Sequence, residues 1–447
     1  MRTGAEVRHC SSRQRHTLVG VLVVAAAFFL LGAEDANSQQ AAPKYTVLYN
    51  FSGPDGKNPN SPLINDTAGN LYGSAGGGIE NLLRCETTYC GVVYKLDPSG
   101  NETVVHEFNT GSSGNRPCCS SLQRDGSGNL YGTTWAGGIS GGCIGSDFEG
   151  CGVAFTLDPT GKEDGVYTFG GPPDGSHPGS LIADSLGDRY GVAWSGGNQE
   201  SEGLCALSGC GVIWKVDRSG NETILHRFSG DANGFVPTSL IRDGAGDFYG
   251  TTGDGGNFVG VCSEFGCGVI FELDPSGNET VLYRLSGQDG YFPNPGLIRD
   301  SDGNLYGTTE GGGNTGGLCA VYESGCGVVF KLDHSGNATV LHRFTGGADG
   351  ARPAWGLVRD SAGNLYGTTP YGGSGSGVVF KLNRSGKETV LHTFSAIDGQ
   401  SPTAGLLLYA GVLYGTTSAG GTNGDGVVFK LQLANAENRS ARVPATR

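Results

Sequence analysis

The chain has 447 residues, of which 82 are glycine, and a formal net charge of −14 at pH 7. The glycines show no Gly-X-Y period, which excludes a collagen triple helix, and there is no basic stripe to suit nucleic acid. The acidic surface that this charge implies mainly favours solubility.

The first 42 residues have the pattern of a signal peptide with a short linker. Arginines at positions 2, 8, 13 and 15 precede the apolar run Leu18–Ala33, and small and polar residues follow it. This order predicts export with cleavage to the cell surface, the periplasm or the medium. The alternative is an uncleaved membrane anchor. The tail, residues 436–447, is predicted to be disordered.

Between residues 43 and 435 one pattern recurs seven times, with starts near residues 45, 102, 163, 222, 279, 338 and 388. Its clearest copy, Arg299–Gly313, reads RDSDGNLYGTTEGGG. Each repeat contains four runs with strand character, such as Glu279–Leu285 and Asn304–Thr309. The segments between them show no helical period. We therefore expect an all-β array with essentially no helix.

Four antiparallel strands per repeat, seven times over, predict a seven-bladed β-propeller. The isolated first strand, Tyr45–Phe51, should pair with the last strand, Gly426–Leu431, and close the ring. We expect the L-I-R-D strand to be innermost in each blade and the E-T-V-L-H strand to be outermost. The short D-x-x-G-N hairpins then lie on one face. The variable loops and the D-G-x-x-P loops lie on the other.

Thirteen cysteines are present, and ten of them form five close pairs in the variable loop of the first five repeats. The last two repeats have shorter loops and lack both cysteines, so the pairs predict one local disulfide per long loop in an oxidising compartment. The predicted bonds are Cys85–Cys90, Cys143–Cys151, Cys205–Cys210, Cys262–Cys267 and Cys319–Cys326. Cys118 and Cys119 could form a vicinal disulfide, the alternative being two thiols or two bridges elsewhere.

No catalytic motif was found: the chain lacks a G-x-S-x-G elbow, an H-E-x-x-H pair and a Walker loop. One equivalent position of the outermost strand holds either His or Tyr, as in His106, His226, His342 and His392. A catalytic His would be unique rather than repeated, so we interpret these residues as structural. We expect neither a cofactor nor a metal.

The residues that follow the third strand run of each repeat vary while their neighbours repeat. In the predicted propeller they surround one mouth of the axial channel, with Trp355 near them. Aromatic faces and carboxylates suit a glycan or protein ligand; the alternative is loop packing without a ligand. The candidate ligand-binding residues are Trp135, Trp194, Asp254, Glu310, Trp355 and Tyr371.

The repeat core D-x-x-G-N-L-Y-G-T-T-x-x-G-G followed by G-x-V-F-K-L resembles that of GloVer-type tandem-repeat proteins, a family of exported bacterial proteins. The match is nearly letter for letter at Asp125, Asp300 and Asp360, and it is degenerate at Asp184 and Leu408. The resemblance extends from about Tyr45 to Leu433. It implies export and a repeat array, and it supplies no catalytic residues. A weaker similarity to lactonase-like and NHL-type propellers rests on shared turn chemistry and implies no activity.

These features favour a secreted, monomeric, non-catalytic binding or cell-surface module whose ligand, a glycan or a protein, binds at the disulfide-bearing loops. The first alternative is an extracellular carbohydrate-active enzyme (a lyase, lactonase or glycosidase) with its site at the axial channel. Asp254 and Glu310 are the acids to test for it, since a glycosidase needs two carboxyl groups about 5 to 9.5 Å apart. The second alternative is a structural envelope protein.

Overall fold

The computed structural model describes residues 42–76, 91–108, 114–117, 121–138, 143, 150–198, 205, 209–322 and 324–433. The predicted signal peptide, the predicted disordered tail, Cys85–Cys90 and Cys118–Cys119 lie outside the described residues. The described part contains 29 strands and two short 3-10 helices, Gly260–Cys262 and Gly317–Val321.

The strands form seven antiparallel sheets, the blades of a seven-bladed β-propeller, as predicted. Blade 1, from inner to outer strand, contains β2 (Ile64–Asn65), β3 (Leu71–Gly76), β4 (Gly91–Leu96) and β5 (Glu102–Phe108). Blade 2 contains β6 (Gln123–Arg124), β7 (Leu130–Thr134), β8 (Val153–Leu157) and β9 (Glu163–Thr168). Blade 3 contains β10 (Gly175–Ala183), β11 (Arg189–Gly196), β12 (Val212–Val216) and β13 (Glu222–Arg227).

Blade 4 contains β14 (Phe235–Arg242), β15 (Phe248–Asp254), β16 (Val269–Leu273) and β17 (Glu279–Arg284). In blade 5 the inner strand is in two pieces, β18 (Tyr291–Pro293) and β19 (Ile298–Arg299), followed by β20 (Leu305–Gly311), β21 (Val328–Leu332) and β22 (Ala338–Arg343). Blade 6 contains β23 (Val358–Arg359), β24 (Leu365–Thr369), β25 (Val378–Leu382) and β26 (Glu388–Thr393).

Blade 7 confirms the predicted ring closure. It contains β27 (Leu407–Tyr409), β28 (Val412–Thr417) and β29 (Val427–Gln432) from the end of the chain, with β1 (Lys44–Asn50) as its outer strand. β1 runs antiparallel to β29, with Tyr45 opposite Leu431 and Asn50 opposite Val427. The strand from the start of the chain therefore covers the edge that blade 7 would otherwise expose.

The core of each blade depends on a glycine opposite a large aromatic residue. In blade 2, Gly132 of β7 pairs with Phe155 of β8, and the fully buried Phe155 ring occupies the space that a β-carbon at Gly132 would need. The same arrangement recurs at Gly250 and Phe271 in blade 4. The repeated Y-G pair is thus explained by packing, since only glycine leaves room for the ring.

In five of the seven outer strands the repeated His or Tyr contacts the Asp of the loop that follows. His106 and His226 instead lie next to the Gly161 carbonyl and Glu279. His392 lies 3.1 Å from Asp398 and His342 lies 3.3 Å from Asp349, measured between Nε2 and a carboxylate oxygen. The Tyr167 hydroxyl donates to Asp174 at 3.0 Å. These bonds fix the loop that leads to the next blade, which is a structural role.

Four of the predicted disulfides are present: Cys143–Cys151, Cys205–Cys210, Cys262–Cys267 and Cys319–Cys326. Their Cα atoms lie 4.9 to 5.5 Å apart. Four disulfides indicate an oxidising environment. Among the described residues, no helix has the length and apolar character needed to cross a membrane.

Candidate functional site

The two faces of the propeller carry different connections between strands, as predicted. We call the face with the variable, disulfide-bearing loops the loop face, and the face with the short D-x-x-G-N turns the hairpin face. At the hairpin face the turns are nearly uniform: the Asp300 carboxylate accepts from the backbone N–H groups of Asp302 and Asn304 and from the Tyr306 hydroxyl. The differences between blades that could give specificity are concentrated on the loop face.

On the loop face, each blade presents one residue in the left-handed backbone conformation, directly before the proline of its D-G-x-x-P loop. Their φ angles lie between 50° and 57°. The side chain differs from blade to blade, although Arg occurs twice. The seven residues, which we call the left-handed ring, are Asn58, Arg116, His177, Val236, Phe292, Arg352 and Ser401.

The left-handed conformation is held by the preceding blade. The backbone N–H of Val236 donates to the Cys210 carbonyl at 3.0 Å, and that of Arg352 donates to the Cys326 carbonyl at 2.7 Å. A β-branched residue such as Val236 rarely has a positive φ, and strained backbone of this kind clusters at functional sites. Val236 and Arg352 are therefore fixed by two blades, one of which contributes its disulfide loop. Asn58 and Ser401 are bonded in the same way to Asp425 and Ser376, in loops without cysteines.

The side chains of this ring lean towards the variable position of the preceding blade. The rings of Trp135 in blade 2 and His177 in blade 3 are 4.9 Å apart, between centroids. Trp194 meets Trp135 edge-on at 4.7 Å. The structure therefore brings the two predicted tryptophans together, next to a histidine for which no role was predicted.

A second group extends over blades 4 to 6. Glu310 forms an ion pair with Arg352, whose guanidinium lies 5.5 Å from the centroid of the Tyr322 ring. Tyr322 in turn is 5.7 Å from Tyr371. Glu310 and Tyr371 were both predicted to bind a ligand, and the structure connects them through an arginine and a tyrosine that were not.

Asp254 belongs to the same region, because its charge acts on Tyr291. Burial raises the pKa of Tyr291 first, and the charges of Asp254 and Glu310 raise it further. Burial also raises the pKa of Asp254 itself to about 7. A carboxyl group with that pKa could exchange a proton near neutral pH, which is the property required of a general acid or base.

Trp355 lies apart from both groups, on the inner wall of the ring. A β-carbon at Gly405 of blade 7 would come within 2.4 Å of its indole, and one at Gly296 of blade 5 within 3.1 Å. Its carbonyl accepts from the Thr308 hydroxyl at 2.7 Å. The six predicted residues therefore occupy three places on the loop face and the inner wall, and their binding of a ligand stays a prediction.

The loop face also carries exposed apolar side chains, which the sequence analysis did not single out. Ten large apolar side chains are exposed in the described residues. Two of them, Leu186 and Tyr409, lie on hairpin-face turns; Tyr371 and Ile397 lie on other loops of the loop face. The remaining six belong to the disulfide loops of blades 4 and 5 and form what we call the apolar loop patch: Phe258, Val259, Val261, Phe265, Leu318 and Val321.

Family comparison agrees with this architecture. The family model described as the Gloeobacter/Verrucomicrobia repeat matches three times, over residues 37–205, 201–323 and 256–442. The chain belongs to the Gloeobacter/Verrucomicrobia repeat family. In this Gloeobacter/Verrucomicrobia repeat protein, the residues that recur from repeat to repeat form the turns and the glycine–aromatic pairs. A search of curated proteins found no match.

A comparison with solved structures gave several matches of low identity. A putative gluconolactonase is 11% identical, and the match covers 88% of this chain and 93% of that one with a TM-score of 0.40. A gluconolactonase from Xanthomonas campestris is 13% identical over 88% of this chain and 90% of its own, with a TM-score of 0.40. A luciferin-regenerating enzyme is 11% identical over 88% and 95%, with a TM-score of 0.39. At these TM-scores and identities the likeness carries no argument about this chain.

Proposed function

We propose that this Gloeobacter/Verrucomicrobia repeat protein is an exported, non-catalytic binding module whose loop face docks a protein partner. The observation that carries the proposal is the apolar loop patch. Val259 is 71% exposed and Val321 is 77% exposed, on loops that are tied down by disulfides. Exposed apolar groups concentrated on one face of a soluble protein are typical of interaction sites.

The chemistry of the patch favours a protein over a glycan. Aliphatic side chains such as Val261 and Leu318 offer sugar hydroxyls no hydrogen bonds. Sugar-binding sites instead rely on aromatic faces, and Trp135 and Trp194 already pack against each other. Asp254, Glu264 and Glu310 lie close enough to raise the pKa of Tyr291 together. We therefore expect a partner segment that combines apolar and basic side chains.

The experiment is a selection of displayed peptides on the exported protein, run beside a glycan array. Selected peptides should bind with an affinity that falls at least tenfold in the variants Val261→Asp and Leu318→Asp. Tyr409→Asp, at an exposed position on the hairpin face outside the cleft between blades 2 and 3, is the control and should leave binding unchanged. A glycan array that gives the only hits would favour a glycan ligand. Binding to neither would favour a structural envelope role.

A second candidate function, an extracellular carbohydrate-active enzyme, draws support from Asp254. Burial raises its pKa to about 7, as a general acid requires. Glu310, the other acid to test, is paired with Arg352, so it is less available for proton transfer. Release of products from oligosaccharides or lactones that is lost in Asp254→Asn, with the fold intact, would establish this function in place of the first.

Export is part of the proposal and is supported by the four disulfides. Intact-mass measurement of protein collected outside the cytoplasm should give a mature N-terminus downstream of Ala33. Four bonds should resist alkylation before reduction: Cys143–Cys151, Cys205–Cys210, Cys262–Cys267 and Cys319–Cys326. An intact N-terminus on a membrane-bound protein would point to an uncleaved anchor instead.

A further inference from the structure

On the hairpin face, arginines join neighbouring blades in a repeated way. The arginine of the L-I-R-D strand reaches the preceding blade, where its guanidinium lies over a tyrosine ring and near an aspartate. Arg242 lies 3.4 Å from Asp184 and 4.9 Å from the Tyr190 ring centroid. Two further junctions repeat this: Arg299 with Asp243 and Tyr249, at 3.5 and 4.8 Å, and Arg359 with Asp300 and Tyr306, at 3.9 and 5.8 Å.

The junction between blades 2 and 3 has the same acceptor groups without the arginine. The equivalent residue of blade 3 is Ala183. In blade 2, Asp125 is held as Asp300 is: it accepts from the N–H of Asn129 at 2.9 Å and from the Tyr131 hydroxyl at 2.9 Å. The aspartate and the tyrosine are thus in place for a guanidinium that this chain does not provide through residue 183.

A cleft occupies this junction. Its volume is about 900 Å³, and Asp125, Tyr131 and Ala183 are among the residues that line it. Cavities of roughly 300 to 1,000 Å³ are the usual size for small-molecule sites. The junction of blades 6 and 7 also lacks the arginine, but there Leu408 takes the position and packs against the apolar cluster that contains Tyr366.

Arg189 forms another part of the cleft wall and does not replace the absent arginine. It occupies a strand position where the neighbouring blades have Leu130 and Phe248, and it is only 4% exposed. Its Nη1 donates to the Thr156 hydroxyl at 2.9 Å and its Nη2 to the Asp217 carbonyl at 3.2 Å. Its guanidinium therefore bonds groups other than Asp125, while its charge also acts on Tyr131. This positive charge suits a ligand that also carries a carboxylate.

We propose that the cleft between blades 2 and 3 binds a guanidinium group, supplied by free arginine or by an arginine side chain of a peptide. The guanidinium would lie over the Tyr131 ring and pair with the Asp125 carboxylate, as Arg242, Arg299 and Arg359 do at their own junctions. A cation over an aromatic face beside a carboxylate gains from both interactions. The site is on the face opposite the apolar loop patch, so it is independent of the function proposed above.

The test is titration calorimetry of the full protein with arginine, agmatine, citrulline and the blocked tripeptide Gly-Arg-Gly. Arginine or the tripeptide should bind saturably at one site, and citrulline, which has the same shape without the charge, should bind at least tenfold more weakly. Binding of arginine alone identifies a small-molecule ligand, and binding of the tripeptide identifies a peptide. Agmatine is arginine without the carboxylate. If it binds more weakly than arginine, the ligand carboxylate contributes to binding, as expected if it lies near Arg189.

Two variants make the result decisive. Ala183→Arg supplies the guanidinium from the chain itself, so it should abolish binding and raise the melting temperature. Arg299→Ala opens the equivalent position at Asp243 and Tyr249, so it should raise the stoichiometry from one site to two. The proposal is overturned by the absence of saturable binding, by equal binding of citrulline, or by unchanged binding in Ala183→Arg.

Discussion

Gly426 of blade 7 lies directly against Pro59 of blade 1. A β-carbon at Gly426 would come within 2.7 Å of the Pro59 ring. The same contact joins every pair of neighbouring blades, for example Gly211 with Pro237 and Gly327 with Pro353. The junction where the two ends of the chain meet is therefore packed like the other six. This explains how a ring closed by a single strand can have the same packing between blades at its closure as elsewhere.

The first prediction concerns this closing contact. Gly426→Ala should destabilise the protein by about 3 kcal/mol, because the new methyl group combines a left-handed backbone penalty with overpacking against the Thr417 carbonyl and the Pro59 ring. Gly424→Ala is the matched control: its φ is +84° but nothing lies within 4 Å, so only the backbone penalty of about 1 to 2 kcal/mol applies. Urea unfolding of both variants measures the difference. Equal losses would contradict the role of the contact.

A hydrogen bond between inner strands gives the second prediction. The Thr238 hydroxyl is fully buried and donates to the Pro293 carbonyl of blade 5 at 3.0 Å. Thr238→Val keeps the shape but leaves that carbonyl without its donor, and it should cost about 1 to 3 kcal/mol. Thr223→Val, at an exposed position of β13, should change the free energy of unfolding by less than about 0.5 kcal/mol. Similar losses at both sites would argue against the bond.

The third prediction is that stability falls as the pH rises from 6.5 to about 8, the upper part of the range between the unfolded and the folded pKa values of three glutamates. The glutamates that begin the outer strands have raised pKa values because of burial: about 7 for Glu102, about 7 for Glu279 and about 8 for Glu222. A raised pKa in the folded state gives stability that is complete below the unfolded pKa, and this stability is lost progressively until the pH passes the folded pKa. His226 and His392, whose pKa values burial lowers, act only below about 6.5.

Melting temperatures across this pH range provide the measurement. Glu102→Gln should remove part of the loss, about 1 kcal/mol after allowance for solvent screening, since this side chain is only half buried. Glu107→Gln, at an exposed position of the same strand, should leave the pH dependence as it is. A flat profile in the unaltered protein would refute the prediction.

The fourth prediction links a disulfide to the loop face. Replacing Cys262 and Cys267 by Ser should lower stability by about 2 kcal/mol, since the bond closes a short ring. It should also make the backbone at Cys267, whose carbonyl accepts from the Phe292 N–H at 3.2 Å, less rigid. The affinity for a ligand of the loop face should therefore fall. The measurements are urea unfolding and affinity for the selected peptides. The control is the Cys143 and Cys151 double serine variant, which lies far from blade 5.

The fold could be predicted from the sequence because the turns of every blade are marked by the same short motif. The Asp and Gly of every D-x-x-G-N run are used in a hairpin, and the leftover strand Tyr45–Phe51 could only be placed by closing the ring. The family match and the paired β1 and β29 confirm both. The pairing of cysteines in the described loops followed from their joint absence in the shorter loops.

The left-handed ring could not be predicted by the same reasoning. A residue before proline is normally extended, so the rule for Val236 or Phe292 gives the opposite of the observed φ of +57° and +53°. Only the hydrogen bond from the preceding blade overrides the local preference, and that bond joins residues far apart along the chain. Likewise, the Glu310–Arg352 pair links two blades, and no spacing within one repeat could indicate it.

The hydrogen bond from each left-handed residue to the preceding blade limits how such proteins can diversify. Because Cys210 of one repeat orients Val236 of the next, exchanging a single repeat by recombination would alter the backbone support of its successor as well as its own surface. New specificities are therefore easier to reach by point substitution of the ring side chains than by shuffling whole units.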